Sequence, residues 1–314
     1  MPEPSPRLDE VPCPLCHGTD VICKLEDRAT RRDTGGSLLA CTSLDHGVFG
    51  RIVQCRNCGL QFRSPREDEA TILSWYGDVE DPVYLAEEPA RVATFSRALD
   101  QLEKRVPRRG PLLDVGCYTG VFLDVAAKRG WPVTGVEPSR WAGGVARARG
   151  YTVHSGTVAT APQPPGGFAV VTMWDVVEHL SDPVRELARV RAVTADDGWL
   201  VAATLNVDAW IARLLGRRWP WYMRMHLIYY TKETLAAVLA RAGWRTVAIE
   251  PYPHVVTLGY LARKLGAYTP RLGRAAGAAL ARLGLGERRV AIDLGDCITA
   301  YAVKDPAWQG TPTT

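Results

Sequence analysis

Between residues 111 and 137 the chain reads strand, glycine turn, helix, strand, acid. Leu112-Leu-Asp-Val115 is a short apolar run suited to a buried strand, and Gly116-Cys-Tyr-Thr-Gly120 is a glycine-bearing turn. Val121 to Arg129 has helical character and is closed by Gly130; Trp131 to Val136 is a second strand, ending at Glu137. This order is the first half of a nucleotide-binding α/β unit, with the acid 23 residues beyond Asp114 and placed for a ribose diol. A glycine turn alone is a weak signal, so the segments that follow decide what is bound.

With 314 residues, 46% of them apolar, the chain can bury one large domain and a small one. A net charge of +4 permits an anionic partner without demanding nucleic acid. No apolar run reaches the length of a membrane span. The start, MPEPSPRLDE, lacks the charged-then-apolar pattern of an export signal, so a cytoplasmic protein is the expectation.

Four of the eight cysteines fall in two pairs, Cys13-Pro-Leu-Cys16 and Cys55-Arg-Asn-Cys58-Gly59. Two intervening residues let both thiolates of a pair face one ion, and two such knuckles make the tetrahedral sulfur site that suits Zn2+. A redox dithiol is the rival, but it comes as one pair at a helix start. Flanking strands are expected at 50–54 and 60–62. The insert between the pairs holds His17, Cys23, Cys41 and His46, any of which can substitute as a ligand. Cys117 and Cys297 read as plain buried residues.

Further along, Phe168 to Asp175 is another strand, Val176-Val-Glu-His-Leu-Ser-Asp-Pro183 a turn, Val184 to Val193 a helix and Gly198 to Thr204 a fifth strand. Here the chain resembles the class I methyltransferases that depend on S-adenosylmethionine (SAM). It is most similar to the branch with blocks "DVGCGTG", "GVEPS" and "DVVEHLSDP", which stand here as Asp114–Gly120, Gly135–Ser139 and Asp175–Pro183. The resemblance covers about residues 65–305 and implies an α/β fold, a Rossmann-like doubly wound seven-stranded sheet, here with an N-terminal zinc ribbon also seen in some members.

Carried over by position, the resemblance implies that Asp114, Gly116 and Gly120 shape the loop around the methionine part of SAM. Glu137 accepts from both ribose hydroxyls. Thr157 stands where the family often has an acid facing the adenine amine, and Trp174 and Asp175 end the strand beside the cofactor, where Trp174 either packs the adenine or belongs to the core. Tyr118 replaces the usual middle glycine, and either crowds the cofactor or points into the pocket. Asp175, Glu178 and His179 resemble the cation-binding cluster of ubiquinone-biosynthesis O-methyltransferases; polar loop residues are the stronger reading.

Residues 206–231 leave the fifth strand and so lie over the pocket mouth, where their aromatics either exclude water or merely pack on the domain as a capping loop, and their arginines can bind an anion. His226-Leu-Ile-Tyr-Tyr-Thr231 matches the branch pattern "HLxYFS", which makes His226 the candidate base, His179 the second, and Tyr229 or Tyr230 the residue positioning the acceptor. Thr231 is expected to cap a helix over 232–242. His154 and His254 have no such context. Two helices at 257–265 and 271–283 follow, in a basic, Ala/Gly-rich stretch that suits a solvated face or the interface of a homodimer. Residues 290–294 and 298–302 are expected to close the sheet as a hairpin with a reversed edge strand.

The domain reading is therefore a zinc ribbon over 1–63, a helical connector over 64–110, the methyltransferase domain over 111–305 with lid or cap segments at 206–231 and 255–289, and a tail over 306–314. The expected activity is methyl transfer to a small-molecule acceptor, a sugar or secondary metabolite, at oxygen. Methylation of an rRNA base and a non-catalytic scaffold closed by Tyr118 are the alternatives.

Overall fold

The computed structural model describes residues 7–28 and 48–310. Cys41 and His46 lie outside the described residues. In chain order, β1 (Val21–Leu25), β2 (Ile52–Cys55) and β3 (Gln61–Arg63) form the N-terminal unit, and α1 (Glu69–Gly77), α2 (Pro82–Ala86) and α3 (Glu88–Glu103) follow. Asp68 caps α1 by accepting from the Thr71 amide.

The cofactor half alternates as read: β4 (Leu112–Val115), α4 (Val121–Lys128), β5 (Val133–Glu137), α5 (Arg140–Ala148), β6 (Val153–Ser155), β7 (Phe168–Trp174), α6 (Pro183–Val193) and β8 (Thr194–Leu205). Asp182 caps α6, with Pro183 at its first position. Then come α7 (Trp210–Leu215), β9 (Ile228–Tyr229) and α8 (Lys232–Arg241), and Thr231 caps α8 in a reciprocal pair with Thr234. The chain ends with β10 (Trp244–Pro251), β11 (His254–Thr257), α9 (Leu258–Tyr268), α10 (Pro270–Arg282), β12 (Arg289–Ile292) and β13 (Cys297–Lys304).

Seven strands form one sheet in the order β10-β13-β8-β7-β4-β5-β6. β4, β5, β6, β7 and β8 run parallel, while β13 is antiparallel to both β8 and β10. One core cluster contains Leu113, Val171 and Leu200, another Leu112, Val170 and Val201, so alternate residues of each strand face opposite sides of the sheet.

Two expectations are corrected. Residues 289–292 do not join the main sheet; they pair with β11 as a separate ribbon. The missing edge strand is β10, and the reversed strand is β13, one place in from that edge. β10 escaped notice because neither of its faces is consistently buried: only Trp244 is buried, and the apolar Val247 is exposed. Its polar and apolar residues therefore lack the alternation that marks a strand.

The N-terminal unit is also joined to the rest more closely than a ribbon-plus-connector reading implies. β3 pairs with β9, giving a second sheet in the order β1-β2-β3-β9. No helix among the described residues is long and apolar enough to cross a membrane.

Candidate active site

A cavity of about 630 Å³ opens at the carboxyl ends of β4, β5 and β7, where ligands sit in open α/β sheets. Asp114 stands opposite Thr172 on the neighbouring strand and accepts its hydroxyl at 2.6 Å. Burial raises the Asp114 carboxyl to about 8. Gly116 has φ +74°, and a Cβ there would come 2.6 Å from Val176 Cγ2, so the close turn needs glycine. Gly120 (φ +79°) starts α4, and a Cβ would meet Ala146 at 3.0 Å. Gly120 does not line the cavity itself; its close approach to Ala146 packs the turn against α5.

Tyr118 also has positive φ, +48°, which explains why glycine suits this position. Its backbone N–H donates to Glu137 Oε2 at 2.8 Å. The Ser139 N–H donates to Glu137 Oε1 at 2.7 Å. Glu137 thus ends β5 with each oxygen held by one backbone donor. Burial raises its carboxyl to about 7, against the pull of these two bonds. The Tyr118 ring packs edge-on to Tyr84, at 4.5 Å between centroids, and leaves the cavity open beside it.

Thr157, Trp174 and Asp175 all line the cavity. Trp174 stacks on Tyr252 and packs against Phe122, so it is wall and core at once. Asp175 adopts φ +54°, strained for a non-glycine residue, and burial raises its carboxyl while His254 and Arg91 pull the other way.

Glu178, His179 and His226 converge: one ligand atom from each lies within 4.8 Å of the others. This trio can hold a metal ion; the cluster expected from the sequence had Asp175 in place of His226. Glu178 Oε2 accepts the Thr204 hydroxyl at 2.8 Å, and burial with nearby Asp175 raises its carboxyl. The His179 and His226 rings lie 4.9 Å apart. His226 Nδ1 is 2.7 Å from the Trp221 carbonyl, which requires the proton on Nδ1 and leaves the Nε2 lone pair available. Burial holds His226 near 3 and His179 near 4, so both rings are neutral at ordinary pH. His179 Nδ1 lies 2.8 Å from the Tyr76 hydroxyl and 3.0 Å from the Met225 carbonyl.

Tyr229 and Tyr230 are corrected. Both are fully buried away from the cavity wall, with hydroxyls donated to the Met223 and Val177 carbonyls. The lid divides likewise: Trp221 lines the cavity, Trp219 is core, and Trp210 is 60% exposed. Trp219 and Trp221 both donate to Asp296 Oδ2. No arginine of 210–230 lines the cavity; the cations there are Arg91 and Lys264, the latter lowered to about 8 by burial and by Arg91. Tyr76, Arg91, Tyr252, His254 and Lys264 were not foreseen, since each sits on an element remote in sequence from the motifs.

In the N-terminal unit the four paired cysteines cluster, with Cys13 and Cys58 sulfurs 3.4 Å apart and Cys16 and Cys55 sulfurs 3.5 Å apart. A tetrahedral ion with sulfur at about 2.3 Å needs sulfur spacings of about 3.8 Å, so small outward shifts accommodate Zn2+. His17 and Cys23 are not part of the cluster.

A family model described as a methyltransferase domain matches residues 85–249. The chain belongs to this family. The seven-stranded sheet with one reversed strand is the Rossmann-like architecture that the sequence implied for a class I methyltransferase domain. Among curated relatives, the ubiquinone biosynthesis O-methyltransferase of Thiobacillus denitrificans is 34% identical over 116 residues, 34% of this chain and 50% of that one. That of Aromatoleum aromaticum is 27% identical over 181 residues, 51% and 77% of the two chains. The chain spans about half the length of most of these relatives, such as the 50% of the Thiobacillus protein. A solved SAM-dependent methyltransferase from Archaeoglobus fulgidus is 18% identical with a TM-score of 0.48, covering 71% of this methyltransferase chain and all of its own.

Proposed function

We propose that this methyltransferase moves the methyl group of SAM to a hydroxyl oxygen of a small-molecule acceptor. The observation that carries the reading is Glu137, a buried carboxylate at the end of β5 that faces the cavity beside the glycine turn. Each oxygen already holds one backbone donor and keeps a lone pair for a ribose hydroxyl. The Gly116–Gly120 turn takes the methionine end, and Thr157 and Trp174 border the adenine. SAM supplies a methyl group on a positive sulfur, which is a good leaving group.

The chain's own work is orientation and proton removal. Holding the acceptor oxygen at the methyl carbon can contribute about 7–11 kcal/mol. An acceptor oxygen that takes a methyl carbon makes its own proton strongly acidic, and the neutral His226 ring, with its Nε2 lone pair free, would accept that proton. The His179 ring packs against that of His226, with 4.9 Å between centroids. The relatives named for O-methyl transfer support oxygen as the acceptor atom. Structural Zn2+ on Cys13, Cys16, Cys55 and Cys58 belongs to the same reading, as do the ribbon, connector and cap boundaries given above.

The test is calorimetric titration of S-adenosylhomocysteine into zinc-quantified protein, with Glu137→Ala alongside. Micromolar binding that the variant weakens supports the cofactor site. Folded protein that binds none rejects it. Labelled SAM with a panel of hydroxylated acceptors then identifies the substrate.

A further inference from the structure

The ribbon's last strand, the His226 segment and the Glu178–His179 turn are hydrogen-bonded in series. The Arg63 N–H donates to the Leu227 carbonyl at 2.8 Å, and the Leu227 N–H donates to the Glu178 carbonyl, also at 2.8 Å. On one side Phe62 pairs with Ile228 and Gln61 with Tyr229. On the other, the buried Arg63 guanidinium donates to the Arg224 carbonyl and ion-pairs with Glu67. Glu67 also receives Arg224 at 2.6 Å. Residues 224–229, His226 among them, are therefore gripped by one buried side chain and one strand.

Stability alone does not explain this choice of residues. A buried ion pair commonly contributes no more than well-packed apolar side chains of the same volume, because both charges lose their water. Arg63 Nε is moreover buried without a hydrogen-bond partner, a further cost. What a planar guanidinium offers over an apolar group is direction: it fixes the carbonyl of Arg224 and the carboxylate of Glu67 at set angles.

We propose that Arg63 is a positioning residue for methyl transfer, setting the place of the His226 imidazole through this seam. Residues 60–62 alone separate Arg63 from the Gly59 that closes the Cys55–Cys58 knuckle, so β3 runs directly from the cysteine cluster to this seam. The inference rests on the reading of His226 as the base.

The experiment uses the full, zinc-loaded chain saturated with S-adenosylhomocysteine, comparing wild type with Arg63→Met, Arg63→Lys and Glu67→Gln. Three quantities are read: S-adenosylhomocysteine affinity, imidazole 15N shifts of His226 and His179, and hydrogen exchange at the Leu227 amide. Arg63→Met is expected to keep the affinity, move the His226 imidazole signals and speed Leu227 exchange by about tenfold or more. Arg63→Lys is expected to fall between it and wild type, and Glu67→Gln to move the same signals less. Unchanged His226 signals in Arg63→Met overturn the proposal. If Arg63→Met does not fold, unchanged His226 signals in both Arg63→Lys and Glu67→Gln overturn it instead. Failure of the wild type to bind S-adenosylhomocysteine counts against the methyltransferase reading, while the link from Arg63 to His226 is still read from the shifts.

Discussion

The backbone N–H of Tyr118 donates to Glu137 Oε2 at 2.8 Å, so the one turn residue that departs from glycine is tied to the acid it faces. On the Tyr118 side the bond uses only the backbone N–H, and a glycine at 118 would make it equally well. Tyr118→Gly should therefore leave S-adenosylhomocysteine affinity unchanged. Glu137→Ala should lower it by about 10- to 150-fold, the loss expected for hydrogen bonds to a charged group worth about 1.5–3 kcal/mol. Calorimetry on the two variants separates a backbone role for Tyr118 from obstruction by its ring; a large gain in Tyr118→Gly would argue for obstruction.

Affinity for the same ligand should fall on acidification. Burial raises Glu137 from 4.5 to about 7, so below pH 7 the empty site holds a proton. Accepting two hydroxyl donors favours the ionised form, so binding releases that proton, and affinity drops below pH 7 by up to about tenfold per pH unit. Without ligand the sign is opposite: this group's contribution to folding is present at low pH and is lost as pH rises from 4.5 through 7. Titrations in buffers of different ionisation heat count the released proton; no release at pH 6 would contradict the assignment.

Replacing His226 with alanine should reduce kcat by about 10²–10⁴, the usual share of a positioned base. S-adenosylhomocysteine affinity should stay at the wild-type value, since His226 is placed on the acceptor side. A normal turnover rate with the true acceptor would sink this role.

Gly135→Ala should destabilise the fold. The added methyl would lie 2.5 Å from Cys117 Sγ and 3.0 Å from Leu123 Cδ1, inside a closed cluster between β5 and α4. Overpacking of this kind costs about 1–3 kcal/mol, readable as a lower denaturant midpoint with unchanged slope.

The purified chain should carry one zinc per molecule, and Cys58→Ser should lose it. Chelation should lower the melting temperature, because metal binding in such a unit is folding free energy. Metal analysis showing no zinc, or a melting curve indifferent to chelator, would remove the zinc from the account.

The cofactor half was legible because its signals are local. Asp114, Gly116 and Glu137 lie within one strand–turn–helix–strand unit whose order can be read along the chain, while their roles toward a cofactor came from the resemblance. The acceptor half was not, since its wall is assembled from α1, α3, β11 and α9, with Tyr76, Arg91, His254 and Lys264 far apart in sequence. Tyr229 and Tyr230 misled for a related reason: a tyrosine next to a motif histidine looks the same in sequence whether its hydroxyl meets a ligand or a carbonyl. The strand β12 was misplaced because a short apolar run shows that it pairs, not with which partner.

The pairing of β3 with β9 has a consequence for the order in which the molecule is made. Arg63 and Arg224, bonded across this seam, are separated by 161 positions in the chain. A ribosome delivers residues 61–63 long before residues 228–229, so the growing chain carries β3 with its outer edge unsatisfied while the whole cofactor half is synthesised. Such an edge invites pairing with other chains, and contacts of this separation are slow to form. The N-terminal unit reaches its final form only after residues 228–229 have emerged.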